Sequence, residues 1–224
     1  MIGTIQRALP YFLDGIKVTA MIAIISIAIG IFIGLFACLL KISNNKIAKA
    51  IAGAYIWVIR GTPMIVQAML VYFGLPQILR LIPFMSNVRF TPFLAGVITL
   101  SLNAGAYIAE IFRGGIQAVP VGEVEAARSL GLTKSKTMIK IILPQAIKIT
   151  IPSMLNQFII TVKDTSILTV IGLKEIVNKA GEYVSIRYDY FETYVWVAVF
   201  YLVIISVLMI VTNHIEKRLG NGKK

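Results

Sequence analysis

Lys163-Asp164-Thr165-Ser166 sets a cation, a carboxylate and two hydroxyls inside the otherwise apolar stretch Ile149 to Leu173. A charge at membrane depth costs at least ~2.5–3.5 kcal/mol unless it is paired or faces water, so such residues mark either an ion pair or a passage for a polar solute. Counting ~1.5 Å of helical rise per residue from Ile149 puts Asp164 about 22 Å along the stretch. Its carboxylate is suited to accept the ammonium or guanidinium of a solute, with the Thr165 and Ser166 hydroxyls beside it. An ion pair with Lys163, or with another helix, and no ligand at all is the competing reading.

A second set lies on the stretch from Phe90. Asn103, Tyr107 and Glu110 are spaced i, i+4 and i+7 and share one helical face. Asn103 falls near mid-depth, where it suits a carboxylate or amino group; Glu110 lies nearer one end, three residues before Arg113. Arg60, just ahead of a Gly61-Thr62-Pro63 break, reaches a comparable depth, and pairing with Glu110 near an inner gate is expected, with structural pairing as the alternative. Gln67 suits either an interhelical hydrogen bond or a ligand contact. This is the chemistry of holding a polar solute rather than of making bonds. The single histidine, His214, stands beside Glu216 and Lys217 without clustered ligands, which argues against a metal site. The carboxylates are scattered and no nucleophile sits with a base, which argues against a membrane-embedded enzyme.

These residues must be positioned by membrane helices. The chain has 224 residues, 58% of them hydrophobic, and a mean hydropathy of +0.84, too apolar for an ordinary soluble domain. Val18 to Leu40, Gly61 to Leu79, Phe90 to Ala109 and Thr193 to His214 carry no charge. Each can cross a hydrocarbon core ~30 Å thick. With Ile149 to Leu173 this predicts a single all-α transmembrane domain over 1–224, with helices near 15–40, 50–79, 90–113, 146–173 and 192–215. The first is too long for the apolar region of a signal peptide and no small-x-small site follows it. Gly105, Ala106, Gly114 and Gly115 are expected to let another helix approach closely. Trp57, Trp196 and Tyr194 are read as interfacial anchors or lipid contacts, and Cys38, the lone cysteine, as a small apolar residue at a helix surface.

Charge sets the expected orientation. Lys41, Lys46, Lys49, Arg128, Lys134, Lys136, Lys140, Lys148, Lys217, Arg218, Lys223 and Lys224 make twelve of the 22 basic residues and fall on one side, the cytoplasmic one. The N-terminus is then outside and the C-terminus inside. The net charge of +12 is explained by loops lying against anionic headgroups of the lipid bilayer. There is no aromatic-interleaved basic patch, and no nucleic-acid partner is expected.

One loop, 121–144, is more than a connection. Glu123 to Leu130 can form two helical turns, Gly131 can take the left-handed conformation that ends them, and Thr133 can cap a second helix. Leu143-Pro144 is expected to stop that helix before the chain re-enters the membrane. Ala126 and Ala127 would let a partner's surface approach closely, beside the charges of Glu125 and Arg128. A solvated interfacial helix pair is the alternative.

Glu125-Ala126-Ala127, three residues, Gly131, nine residues, then Ile141-Ile142-Leu143-Pro144 resembles the signature loop of the membrane subunits of bacterial ABC importers at every fixed position. Arg60-Gly61-Thr62-Pro63, the run Asn103 to Ile116, and Lys163-Asp164-Thr165-Ser166 look like the polar amino-acid permeases of the histidine, glutamine and arginine type. Ala104 and Ile167 stand where Ser and Leu would be expected. The resemblance spans about Gly15 to His214. It implies the MetI-like permease fold, and uptake of a polar, basic amino acid through a pathway shared with a second permease half, either an identical chain or a related one. It also implies an extracytoplasmic amino-acid-binding protein and a separate ATPase engaged through a coupling helix at Glu125, Ala126, Ala127 and Gly131. No G-x-x-x-x-G-K-[ST] loop occurs in the chain; ATP and magnesium are expected on the partner, and no cofactor on this chain. A secondary transporter would be expected to show internal repeats, and none is found.

Overall fold

The computed structural model describes residues 2–85 and 87–219; Lys223 and Lys224, read above as cytoplasmic charges, lie outside them. The fold is all-helical, with no strand among the described residues. The elements are α1 (Ile2–Ile42), α2 (Lys46–Gly61), α3 (Met64–Leu79), α4 (Pro92–Gln117), α5 (Val121–Ser129), α6 (Lys134–Ile171), α7 (Ile176–Arg187) and α8 (Tyr190–Arg218). Four of these, α1, α4, α6 and α8, are long and apolar enough to cross a membrane; α2 and α3 together make a fifth if the bent pair is one span.

α4 is the centre of the bundle. Thr91 caps it, its hydroxyl accepting from Leu94 N–H at 3.1 Å, and Pro92 occupies the first turn, where its missing N–H costs nothing. Small residues then let neighbours come close: a Cβ on Gly105 would stand 2.7 Å from Ile33 Cγ2 of α1, and one on Gly115 only 2.2 Å from Thr150 Cγ2 of α6. These two glycines act as the sequence suggests. Gly114 does not, since nothing lies within 4 Å of its Cβ position. Ile22, Ala95, Leu100 and Leu168 form the core between α1, α4 and the end of α6.

Several expectations need correction. The second span is not one helix over 50–79. Thr62 precedes a proline and is driven into extended backbone (φ −120°, ψ 147°), and α3 leaves at 107° to α2. Pro144 stops nothing. The ladder widens to a π turn over Met138–Ile142, where Leu143 N–H reaches back to Met138 O, and the helix continues from Lys134 to Ile171. The same device admits Pro76, after a π turn over Leu70–Gly74.

α1 begins at Ile2, not near residue 15, because its first turns have something to pack on. Ala8 and Phe12 are fully buried against Ile176, Ala180, Tyr183 and Val184 of α7, a helix not foreseen in the sequence. Trp196 is partly buried beside this cluster, and Cys38 is buried with Ala37, Ile56 and Ala109 rather than lying at a helix surface.

α7 is capped by Glu175, which is fully buried in the segment joining α6 to α7, outside the spanning stretches. Its carboxylate accepts from Val177 N–H (2.8 Å), Asn178 N–H (2.7 Å) and the Tyr201 hydroxyl (3.3 Å). Burial outweighs these donors and pushes the carboxyl up to about 7. A carboxyl whose folded value is raised contributes stability below its unfolded value, and that contribution is lost as pH rises through about 7. Thermal stability of the purified protein should therefore fall as pH rises from about 4.5 towards about 7 and level off above that. Glu175→Gln should be less stable at the acid end, since it cannot accept at both oxygens, but flat across the same window. A wild-type profile as flat as the mutant's would contradict this.

Candidate functional site

The structure gathers the candidate residues into three places. At the bend between α2 and α3, the Gln67 side-chain amide donates to Ile59 O (2.7 Å), Thr62 O (3.1 Å) and Thr62 Oγ1 (2.9 Å). The carbonyls orphaned where Pro63 breaks the helix thus find a donor. Gln67 Oε1 in turn accepts from Asn103 Nδ2 of α4 at 3.2 Å, and both side chains are buried. Of the two roles open to Gln67, the interhelical hydrogen bond is the one formed.

One and two turns further along α4, Tyr107 and Glu110 meet the end of α2. The Arg60 guanidinium lies 5.0 Å from the Tyr107 ring centroid, within cation–π range. Arg60 Nη1 stands 3.9 Å from Glu110 Oε2, beyond hydrogen-bonding distance. The close partner of Glu110 is Arg113, whose Nη2 and Nε donate to the same Oε2 at 2.5 and 3.1 Å. Arg113 Nη1 also donates to Gln117 Oε1 at 2.6 Å. The part played by Arg113 was legible in its i+3 spacing from Glu110. An open pocket of about 360 Å³ beside this cluster is lined by Lys41, Gly53, Ile56, Trp57, Arg60, Gly61 and Glu110.

The third place is the far end of α6. The helix runs unbroken through Lys163-Asp164 and tightens into a 3₁₀ turn over Thr165–Ile171 that ends at Gly172, φ 79°. Thr165 is fully buried and donates to Val162 O (2.7 Å); Ser166 donates to Lys163 O (2.7 Å). Asp164 is half-buried and Lys163 exposed. Lys163 and Ser166 line a cleft of about 500 Å³ with Tyr194, Val197, Ala198 and Tyr201. No hydrogen bond or ion pair between described residues joins this group to Asn103, Tyr107 or Glu110.

The hairpin outside the bundle is well defined. Gly131 has φ +82°; its N–H donates to Arg128 O (3.0 Å) and Leu132 N–H to Ala127 O (3.1 Å), a Schellman stop for α5. Thr133 Oγ1 accepts from Lys136 N–H at 3.4 Å. Arg128 Nη1 donates to Leu132 O (2.6 Å), and Gln145 of α6 donates to Glu123 of α5, tying the hairpin to the base of the membrane helix. Glu125 and Ala126 face outward, whereas Ala127 is turned inward at 5% exposure, so only one of the two alanines offers contact surface. Among the described residues no group of three or more His, Cys, Asp and Glu could hold a metal ion.

Comparison with known proteins fits this arrangement. The family described as "binding-protein-dependent transport system inner membrane component" matches residues 26–221. The glutamine transport system permease protein GlnP of Escherichia coli (strain K12) is 39% identical over 217 residues, covering 97% of this chain and 96% of that protein. The arginine transport system permease protein ArtQ of Bacillus subtilis (strain 168) is 37% identical over 214 residues, covering 96% and 94%. A crystal structure of an amino acid ABC transporter with histidines superposes with a TM-score of 0.90 at 39% identity, covering 96% and 97% of the two chains. An inward-facing structure of the MetNI methionine ABC transporter shares the fold, with a TM-score of 0.76 at 20% identity and coverage of 93% and 96%.

Proposed function

The chain belongs to the binding-protein-dependent transport system inner membrane component family, and on that premise we propose that it carries polar amino acids, basic ones in particular, inward across the cytoplasmic membrane. It is a multi-pass permease subunit of an ATP-driven importer, not a catalyst, and works with an ATPase and a binding protein. The observation that carries the reading is the α5 hairpin: a helix outside the bundle, closed at its C-terminal end by a Schellman turn, tied to α6 and presenting Glu125 and Ala126 outward. It serves as the coupling helix. ATP and magnesium sit on the partner, and this chain carries no cofactor.

The twelve basic residues grouped on one side favour a cytoplasmic hairpin, with the N-terminus outside. Two identical halves are favoured, because one chain carries both a coupling helix and a set of intramembrane polar residues, and closed two-fold symmetry is the common solution. ATP binding draws the two hairpins together, turns the halves, and opens the pathway outward to a loaded receptor. Asp164 is the acceptor for a cationic side chain, with Lys163, Thr165 and Ser166 around it. Asn103 and Gln67 hold the bend that shapes the pathway wall, and Arg60, Tyr107 and Glu110 form the inner gate.

Direct binding to the chain purified with its ATPase in lipid tests this, using arginine, histidine, lysine, glutamine and glutamate. Cationic ligands should bind wild type and lose about tenfold or more in Asp164→Asn, a change of ~1.4 kcal/mol. Binding indifferent to that change would make Asp164 structural, and binding of glutamine alone would move the substrate to a neutral polar amino acid.

A further inference from the structure

Resting on that reading, we infer that the pocket at the end of α2 is a second site, on the exit side, for the amino-acid head group. The α-carboxylate is held by Arg60 and Lys41, and the α-ammonium by Glu110.

Three observations carry this. The first is which atoms of the cluster are already used. Both Arg113 bonds to Glu110 fall on Oε2, and the looser Arg60 contact points to the same atom. None of them engages Oε1, on a side chain that is 20% exposed at the pocket wall. Arg113 is committed to Glu110 and Gln117. Arg60, 42% exposed and 3.9 Å from the nearest carboxylate oxygen, is not.

The second is Lys41. Its Nζ lies 3.0 Å from where a Cβ on Gly53 would stand, so the missing side chain at 53 leaves the ammonium its place over the pocket. No carboxylate stands within ion-pair distance of it among the described residues. The pocket therefore presents two cations with donors to spare and one carboxylate oxygen with an acceptor to spare.

The third is what such a wall selects. A simple anion would meet Glu110, and a simple cation would meet Arg60 and Lys41. A molecule that carries an anionic and a cationic group on one carbon satisfies all three, with its anion towards Arg60 and Lys41 and its cation towards Glu110. An α-amino acid has that arrangement. Only Ile56 and Trp57 remain to face its side chain, so the site reads the head group common to all amino acids and leaves discrimination elsewhere. A volume of about 360 Å³ lies within the range of small-molecule pockets, ~300–1,000 Å³. The loose Arg60–Glu110 contact is then a gate that the cargo itself splits. The ethanolamine phosphate headgroup of a phospholipid carries the same charge pair, so the test must separate the two sources.

Trp57 lines the pocket and Trp196, the only other tryptophan of the chain, does not. The complex with the ATPase, carrying Trp196→Phe, is placed without nucleotide in nanodiscs of phosphatidylcholine and phosphatidylglycerol and titrated with L-glutamine, L-arginine and agmatine, which is arginine without its carboxylate. The expected result is a saturable fluorescence change with both amino acids, lost on adding Trp57→Phe and missing with agmatine. Apparent affinity should fall about tenfold or more in Arg60→Gln and Glu110→Gln, about 1.4 kcal/mol, and recover in Arg60→Lys. Lys41→Gln, at the rim, should lie between. A response that agmatine reproduces, that ignores Arg60 and Glu110, or that never saturates overturns the site. So does a change seen only when phosphatidylethanolamine is put into the disc, which would make this a lipid site. ATP-driven uptake with the receptor is measured separately on the same protein. Intact uptake without a Trp57 response removes only the exit site, whereas no uptake of any amino acid removes the functional reading on which it rests.

Discussion

Gly115→Val should leave the chain unable to hold α4 against α6. A Cβ there would lie 2.2 Å from Thr150 Cγ2 and 3.0 Å from Ala146 O, so neither the methyl nor the backbone behind it has room. Thr150 cannot simply turn away without losing its hydroxyl bond to Ile147 O at 3.0 Å. Overpacking costs ~1–3 kcal/mol or more in a well-packed core, and valine adds a branched side chain to a helix–helix contact that small residues make possible. Thermal unfolding in detergent should shift down by several degrees or more, with a large loss of monodisperse protein. Two controls make the argument specific. Gly114→Ala, whose Cβ meets nothing within 4 Å, should leave stability near wild type. Thr150→Ala, added to Gly115→Val, should recover part of the loss by removing the clashing methyl. If Gly114→Ala were as damaging as Gly115→Val, the packing account would fail.

That contrast shows how far the sequence could be read. Small residues on α4 announce close packing, but whether Gly114 or Gly115 faces α6 depends on helix rotation, which a 20-residue apolar run leaves open. Charge-free stretches locate the spans, yet their ends went wrong wherever a soluble-looking segment continued the helix. α1 extends back to Ile2 because α7 covers Ala8 and Phe12, and α7 itself has too few apolar residues to register as a membrane helix. The two prolines, both read as breaks, act differently. Pro63 breaks a helix because Thr62 before it is forced extended, whereas Pro144 is absorbed by a π turn that reassigns its neighbours' hydrogen bonds.

The candidate site was legible by type more than by arrangement. The i, i+4, i+7 face of Asn103, Tyr107 and Glu110 does turn towards α2 and α3. What spacing could not give is the division of labour along it, with Asn103 spent on Gln67 and Glu110 spent first on Arg113. Buried Thr165 is similar. A hydroxyl beside an intramembrane carboxylate suggests a ligand contact, but in a helix it can satisfy itself on the preceding turn, and here it does so on Val162 O. Glu175 left no signal in the apolar pattern, because its burial arises from α1, α7 and α8 meeting around it.

Gly131→Val should uncouple transport from ATP hydrolysis while leaving the membrane bundle intact. At φ +82° a side chain is strained whatever space surrounds it, and nothing lies within 4 Å of the Cβ position. The cost is therefore conformational: ~1–2 kcal/mol for an ordinary L-residue, and more for a β-branched one. The chain can relieve it locally by giving up the Gly131–Arg128 and Leu132–Ala127 bonds, which changes the angle at which α5 leaves α6. The bundle core does not depend on those bonds, so the protein should still assemble and the partner should still hydrolyse ATP within about twofold of wild type, a difference under ~0.5 kcal/mol. Uptake per ATP hydrolysed, measured with phosphate release in the same proteoliposomes, should fall at least tenfold, or ~1.4 kcal/mol. Gly131→Ala should fall between, and Gly131→Asn should retain most coupling, because asparagine enters the left-handed region more readily than other side chains. The order Gly, Asn, Ala, Val would mean that force passes through a hairpin whose angle is set by one backbone torsion. Normal coupling in Gly131→Val would mean that α5 moves with its partner whatever the angle of the hairpin, and that the Schellman turn serves only to end a helix.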